Sequence, residues 1–208
     1  DNLGWKLAAV VHGGAPRELI ESYDIERRHG AEENILNSAR ATSFMTPKSP
    51  IEALFRSETL RMAHDQPFAR ALINSGRLSK PCSLAGLLIQ THNASAHVRP
   101  GTAMVDAPVG DTWLVSLVQG AFTLVGFGGV RLPEVPGVRR IGIAQKSADY
   151  PCFGDIAGYA LGRYGMGQAY LFRPDGHVAA VFSKPTSTGV AAARDRALGR
   201  ETALSEVV

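Results

Sequence analysis

Cysteine is scarce in this chain of 208 residues, with only Cys82 and Cys152 present. They stand far apart, and neither belongs to a Cys-x-x-Cys pair or lies near a histidine at zinc-ligand spacing. The spacing offers no structural zinc site, and two free thiols are expected in preference to a disulfide. Charge of one sign is lacking as well. The formal net charge is +3, with Lys and Arg interleaved among Asp and Glu, so nothing indicates a nucleic-acid partner. No apolar run approaches the roughly 20 residues that cross a bilayer, and no charged leader precedes an apolar block at the start. No membrane partner is expected, and a cytoplasmic location is. The six histidines are scattered; His92 and His97 are the nearest pair, without a carboxylate at ligand spacing, so no metal site is assigned. His-x-x-x-His and Gly-x-Ser-x-Gly are both missing, and no nucleophile has a base among its sequence neighbours. Asn93-Ala94-Ser95 fits a glycosylation sequon, a three-residue pattern that carries little by itself.

What is present divides into two styles. In the first, Leu3, Leu7 and Val10 or Val11 recur at helical spacing and stop at Gly13-Gly14, after which Pro16 can open a helix whose apolar face is Leu19, Ile20 and Tyr23. A further helical stretch carries Ile35, Leu36 and Ala39 toward Phe44. Ser49-Pro50-Ile51-Glu52 then supplies a cap, a proline at the first helical position and a Glu three residues after the cap. That helix reaches about His64, and Asp65-Gln66-Pro67 starts another, carrying Phe68 and Leu72, which Gly76 can close. From about Ser79 the period is lost in Ser, Thr, Asn, Gly and Pro, so a surface linker is expected over 79–99.

The second style is that of a sheet. Phe122–Phe127 and Val138–Ile143 are apolar runs of strand length, of the kind buried on both faces. Tyr170–Arg173 and His177–Phe182 flank Pro174-Asp175-Gly176 as a hairpin. A helix is expected around Asp155–Tyr164, and a closing one over Ser187–Leu198. The expected fold class is α/β: a helical segment over 1–78, then an α/β domain over 100–208.

Two local patterns suggest chemistry and fail on inspection. Gly126-Phe127-Gly128-Gly129 after a strand hints at a dinucleotide loop, but the third glycine is missing and Pro133 and Pro136 deny the helix that would hold phosphate. Cys152, in Tyr150-Pro151-Cys152-Phe153, falls in a loop without a resolving partner, so an inert thiol is the reading.

Asp1-Asn2-Leu3-Gly4-Trp5-Lys6-Leu7-Ala8, followed by Ser22-Tyr23-Asp24-Ile25-Glu26-Arg27-Arg28, resembles the segment after the flavin-binding motifs of the FAD-dependent aromatic hydroxylases, the class A flavoprotein monooxygenases that include phenol hydroxylase and 3-(3-hydroxyphenyl)propionate hydroxylase. His29-Gly30 departs from the proline that family has there, which leaves the local helix boundary open. Weaker similarity runs from Asn37-Ser38 through Lys48-Ser49 and over Asn74–Leu78. Pro100-Gly101, Asp106-Ala107-Pro108 and Arg173–Val178 are similar to motifs of the thioredoxin-like domain that ends many of these enzymes.

The resemblance implies a C-terminal part of a monooxygenase that uses FAD, reduced by NADH or NADPH, to hydroxylate a phenolic ring. It further implies that the flavin and catalytic residues precede Asp1. No catalytic, cofactor-binding or metal residue is therefore assigned within the chain, and no cofactor is expected on it. The expected partners are its own N-terminal FAD-binding domain and a second copy. The arginines of the second motif suit a role in fixing that helix against a neighbouring domain. In helix 3–11, Leu3, Trp5, Leu7 and Val11 form an apolar set expected to need cover from outside the chain. The competing reading is a stand-alone thioredoxin-like thiol-redox protein, which the lack of paired cysteines opposes.

Overall fold

The computed structural model describes residues 1–73, 81–87, 89, 91 and 96–200. Helix α1 (Asn2–Val11) ends at His12. There Gly13 N–H bonds Val10 O at 3.0 Å and Gly14 N–H bonds Ala9 O at 2.8 Å. Gly13 takes the positive φ of 71° that such a stop demands. Helix α2 (Glu18–Met45) is a single 28-residue helix where the sequence suggests two. It continues through Gly30, whose backbone packs so closely on Cys82 that an added Cβ would lie 2.8 Å from its Sγ. A glycine usually read as a breaker thus serves close approach.

Helix α3 (Pro50–Ala63) begins as the Ser-Pro signal predicts, with Ser49 Oγ accepting from Glu52 N–H at 3.2 Å. Glu52 reaches back to the N–H of Lys48 at 2.6 Å, one residue before the cap. Helix α4 (Pro67–Ile73) follows. The expected stop at Gly76, the Asn74–Leu78 motif, His92 and the Asn93-Ala94-Ser95 sequon lie outside the described residues.

The second style of sequence becomes a sheet domain. A two-residue hairpin, β1 (Pro108–Val109) with β2 (Thr112–Trp113), leads into the short helix α5 (Leu114–Val118). Strand β3 (Thr123–Phe127) runs parallel to β4 (Arg139–Ile143), which runs parallel to β5 (Cys152–Phe153). Helix α6 (Tyr159–Tyr164) precedes β6 (Gln168–Phe172) and β7 (Val178–Phe182), which are antiparallel to each other. Since β6 is also antiparallel to β3, the order across the sheet is β5-β4-β3-β6-β7, and α7 (Ser187–Ala197) closes the chain. This is the expected α/β class, with the thioredoxin-like arrangement of a central strand flanked by a parallel and an antiparallel neighbour.

Strand alternation gives the sheet two apolar faces. Val125, Phe127, Ile141, Ile143, Tyr170 and Phe172 fill one core; Leu124, Leu171, Ala169 and Ala180 fill the other, with Leu19 from α2. Cys152, expected in a loop, pairs as an edge strand with Gly142. The short elements β1, β2, α5 and β5 escape a sequence reading, because two to five residues cannot display a period.

Contacts divide the chain into two compact units, Arg27–Cys82 and the remainder. Helix α1 and the start of α2 therefore belong to the unit that holds the sheet. Within the expected linker, Leu84 is buried and its N–H bonds Gly101 O at 2.8 Å, and Thr91 N–H bonds Ala179 O at 3.1 Å. Gly101 sits at φ 86° with the backbone of Leu84 and Ala85 against its α-carbon. Gly101→Ala should cost about 2–4 kcal/mol, from left-handed strain plus a backbone clash. Chemical denaturation followed by circular dichroism reads this as a lowered midpoint.

Candidate functional site: a buried ion cluster

Three stretches distant in sequence meet in the unit that holds the sheet. From α1 come Asn2, Trp5 and Lys6, on one face at helical spacing. Ser22 and Glu26, four residues apart, come from α2, and Arg173, Asp175 and His177 come from the turn between β6 and β7. Lys6 and Arg173 are wholly buried, and Glu26 is 1% exposed.

The guanidinium of Arg173 organises the cluster. Nη1 donates to Glu26 Oε1 at 2.7 Å and Nη2 to Glu26 Oε2 at 3.1 Å, a bidentate pair. On its other side, Nε donates to Asp175 Oδ1 at 3.1 Å and Nη2 to Asp175 Oδ2 at 2.6 Å. Lys6 Nζ donates to Glu26 Oε2 at 2.9 Å and to Ser22 Oγ at 2.8 Å, and Ser22 Oγ in turn donates to Leu19 O at 2.6 Å. The amide of Asn2 bridges the carboxylates, with Nδ2 at 2.7 Å from Glu26 and 2.8 Å from Asp175. Trp5 Nε1 donates to the same Asp175 oxygen at 3.0 Å, and its ring lies 5.3 Å from the Arg173 guanidinium carbon. The edge of that ring meets Phe122, with centroids 5.8 Å apart.

Two cations balance two carboxylates, which is what permits full burial. Burial by itself would push the Glu26 carboxyl up, but Arg173 and then Lys6 outweigh it and hold it below the ordinary range. Asp175 behaves alike: burial opposes its charge, and hydrogen bonding from His177 and the Arg173 charge drive it well below the carboxylate range. Burial draws Lys6 down, with Glu26 pulling back. Arg173 is pushed upward by Glu26 and Asp175 against burial.

Arg27 and Arg28 are exposed, and the motif's buried member is Glu26, which the Arg173 guanidinium holds. The cluster corrects one sequence expectation. Trp5 finds its cover within the chain, on Phe122 and Arg173, and among the expected apolar set Leu7 and Val11 are the exposed ones, at 43% and 78%.

The other candidates stay apart from it. Gly128-Gly129 follows β3, and the N–H groups of Gly129 and Val130 both donate to Gln145 Oε1, at 2.9 and 3.0 Å. The amides that would face a phosphate are thus used internally, and these residues do not fit a dinucleotide. Cys152 Sγ faces the carbonyl of Tyr150 at 3.6 Å. Cys82 lies against Gly30. Among the described residues no cluster of His, Cys, Asp or Glu has metal-binding geometry, and no helix is long and apolar enough to cross a membrane. Among the described residues an open cleft of about 540 Å³ lies along Asn34, Ser38 and Thr42 of α2, with Lys48 at its end.

Comparison with known proteins places these motifs. The sequence profile of a family described as FAD binding domain matches residues 1–38. A 3-(3-hydroxy-phenyl)propionate/3-hydroxycinnamic acid hydroxylase of Mycobacterium avium (strain 104) is 35% identical over 113 residues, 54% of this chain and 18% of that protein. A Claviceps purpurea (strain 20.1) protein named as a monooxygenase is 31% identical over 180 residues, 86% of this chain and 32% of its own length. The chain thus spans a fifth to a third of these relatives. Among solved structures, the rebeccamycin biosynthetic enzyme RebC with reduced flavin aligns with a TM-score of 0.64 at 19% identity, over 96% of this chain and 40% of that one. A ternary complex of aklavinone-11 hydroxylase with FAD and aklavinone aligns at 0.60 and 22% identity, over 96% and 38%.

Proposed function

This chain is related in sequence and fold to the FAD-dependent aromatic hydroxylases, and from that premise we propose that it is the C-terminal part of an FAD- and NAD(P)H-dependent monooxygenase acting on a phenolic ring. Its own role is to brace the flavin-bearing part without contributing to the chemistry. The observation that carries this is the ion cluster. It ties the segment matched by the FAD-binding profile to the thioredoxin-like sheet through fully buried charges. The division that goes with it is a helical segment over 1–78, a linker over 79–99 and a thioredoxin-like domain over 100–208.

In such chemistry the flavin carries the oxygen, while the protein holds the substrate and keeps water away. The unit Arg27–Cys82 offers Ile51, Leu54, Phe55, Phe68 and Leu72 as exposed apolar surface for contact with other parts of the enzyme or with a second copy. A thiol-redox role is not favoured: the position after β3 where a thioredoxin-like fold bears its reactive thiol holds Gly128-Gly129.

The test compares two polypeptides. One extended upstream by a few hundred residues should purify yellow with bound FAD and oxidise NADH or NADPH when a phenol is added; this chain alone should retain no flavin. Stoichiometric flavin on this chain alone, or an extended protein that binds none, overturns the assignment.

A further inference from the structure

The charges of the cluster fall into two halves, each neutral by itself. Lys6 pairs with Glu26 between α1 and α2, at 2.9 Å. Arg173 pairs with Asp175 inside the β6–β7 turn, at 2.6 Å. That turn is also held from within: Arg173 N–H bonds His177 O at 2.8 Å, Gly176 N–H bonds Arg173 O at 2.9 Å, and His177 N–H bonds Asp175 Oδ1 at 3.3 Å. The helical half has its own scaffold in the chain from Lys6 to Ser22 to Leu19 O.

We propose that Asp1–Glu26 is a separable element seated on a preformed receptor, the Arg173–His177 turn with Phe122, and that it leaves and returns as one piece while the sheet stays folded, α2 parting after Glu26 where the two compact units divide. The recognised partner is a helix bearing Asn and Trp three residues apart with Lys beside the Trp, joined to a second helix that supplies a carboxylate. Asp175 Oδ2 reads the first two through Asn2 Nδ2 and Trp5 Nε1. The Arg173 fork reads the carboxylate.

Separation is possible because of the charge balance. Parting a buried cation from its anion leaves lone charges, whereas opening here returns two ion pairs to water, each still paired. The apolar seat is formed by Trp5 at right angles to Phe122 and Leu19 in the second core, with Ala9, Val10 and Ala15 packed on that core. It is supplemented by Arg200, which donates to the carbonyl of Gly14. The inference rests on the flavoprotein reading only for its meaning, that the element is the one matched by the FAD-binding profile.

Native-state hydrogen exchange on this chain, in low denaturant, tests it. Amides of α1 should exchange through a sub-global opening, with a weaker denaturant dependence than those of β3 and β6. Asp175→Asn should speed α1 exchange by about tenfold or more, and the sheet amides with it, because the native state loses the same contacts relative to both the open and the unfolded states. Val125→Ala, which weakens the sheet core, should speed exchange at Tyr170 by about tenfold or more and leave α1 within about twofold. Trp5→Phe keeps a ring against Phe122 but removes the donor to Asp175, and it should speed α1 exchange at smaller amplitude. The inference is overturned if α1 and the sheet exchange in a single step in the parent chain, or if Val125→Ala accelerates α1 as much as the sheet. No flavin enters this experiment. Its failure would leave the flavoprotein assignment standing, and failure of the flavin test would leave the joint untouched.

Discussion

Arg173→Met should destabilise this chain by about 3–5 kcal/mol, the cost of leaving buried charge unpaired. The substitution keeps much of the side-chain volume, so the loss is electrostatic more than a matter of cavity. It removes the two bonds to Glu26 and the two to Asp175 at once. Lys6 and Asn2 then face two buried carboxylates with one positive charge between them. The stacked Trp5 also loses a cation, worth about 0.5–2 kcal/mol. Urea unfolding of both proteins at neutral pH measures the difference. A shift under about 1 kcal/mol would mean that water reaches the cluster and screens it as at a surface.

The second large effect is acid sensitivity. Glu26 and Asp175 both have carboxyl groups held below their ordinary range in the folded chain. A group whose folded pKa is depressed contributes stability that is complete above its unfolded value, near 4, and lost as pH falls toward the folded one. Stability should therefore be flat from about pH 7 to pH 5 and then fall by up to about 1.4 kcal/mol per pH unit for each carboxylate. Denaturation midpoints across pH 7 to 3 give the profile. In Glu26→Gln with Asp175→Asn the acid limb should flatten, on a lower plateau. An unchanged limb in that variant would place the acid-labile groups elsewhere.

Much of the fold was readable without coordinates. The Gly13-Gly14 stop, the Ser49-Pro50 start, the two apolar strands and the hairpin around Pro174-Asp175-Gly176 all signal through neighbours in sequence. Local steric rules act over three to eight residues, which is the range a sequence displays. Gly30 shows the limit. Its neighbours suggest a boundary, yet the helix continues, and position 30 needs a glycine because Cys82, fifty-two positions on, occupies the space a side chain would need.

The residues of the ion cluster were visible as motifs, since Asn2, Trp5, Lys6, Glu26, Arg173 and Asp175 all lie in the stretches that resemble the hydroxylases. Their meeting was not. Nothing near Glu26 distinguishes it from Arg27 or Arg28, and only the tertiary structure decides which of the three is buried. Trp5 reads as apolar surface in need of an external partner until Phe122 and the guanidinium of Arg173 come over it. The sequence by itself determined the α/β class, the helix and strand starts that follow from local backbone preferences, and the absence of paired cysteines at the redox position. The tertiary structure decided which charges are paired, because an ion pair between positions 26 and 173 depends on the packing of helices on a sheet, and no local pattern encodes a distance across a fold.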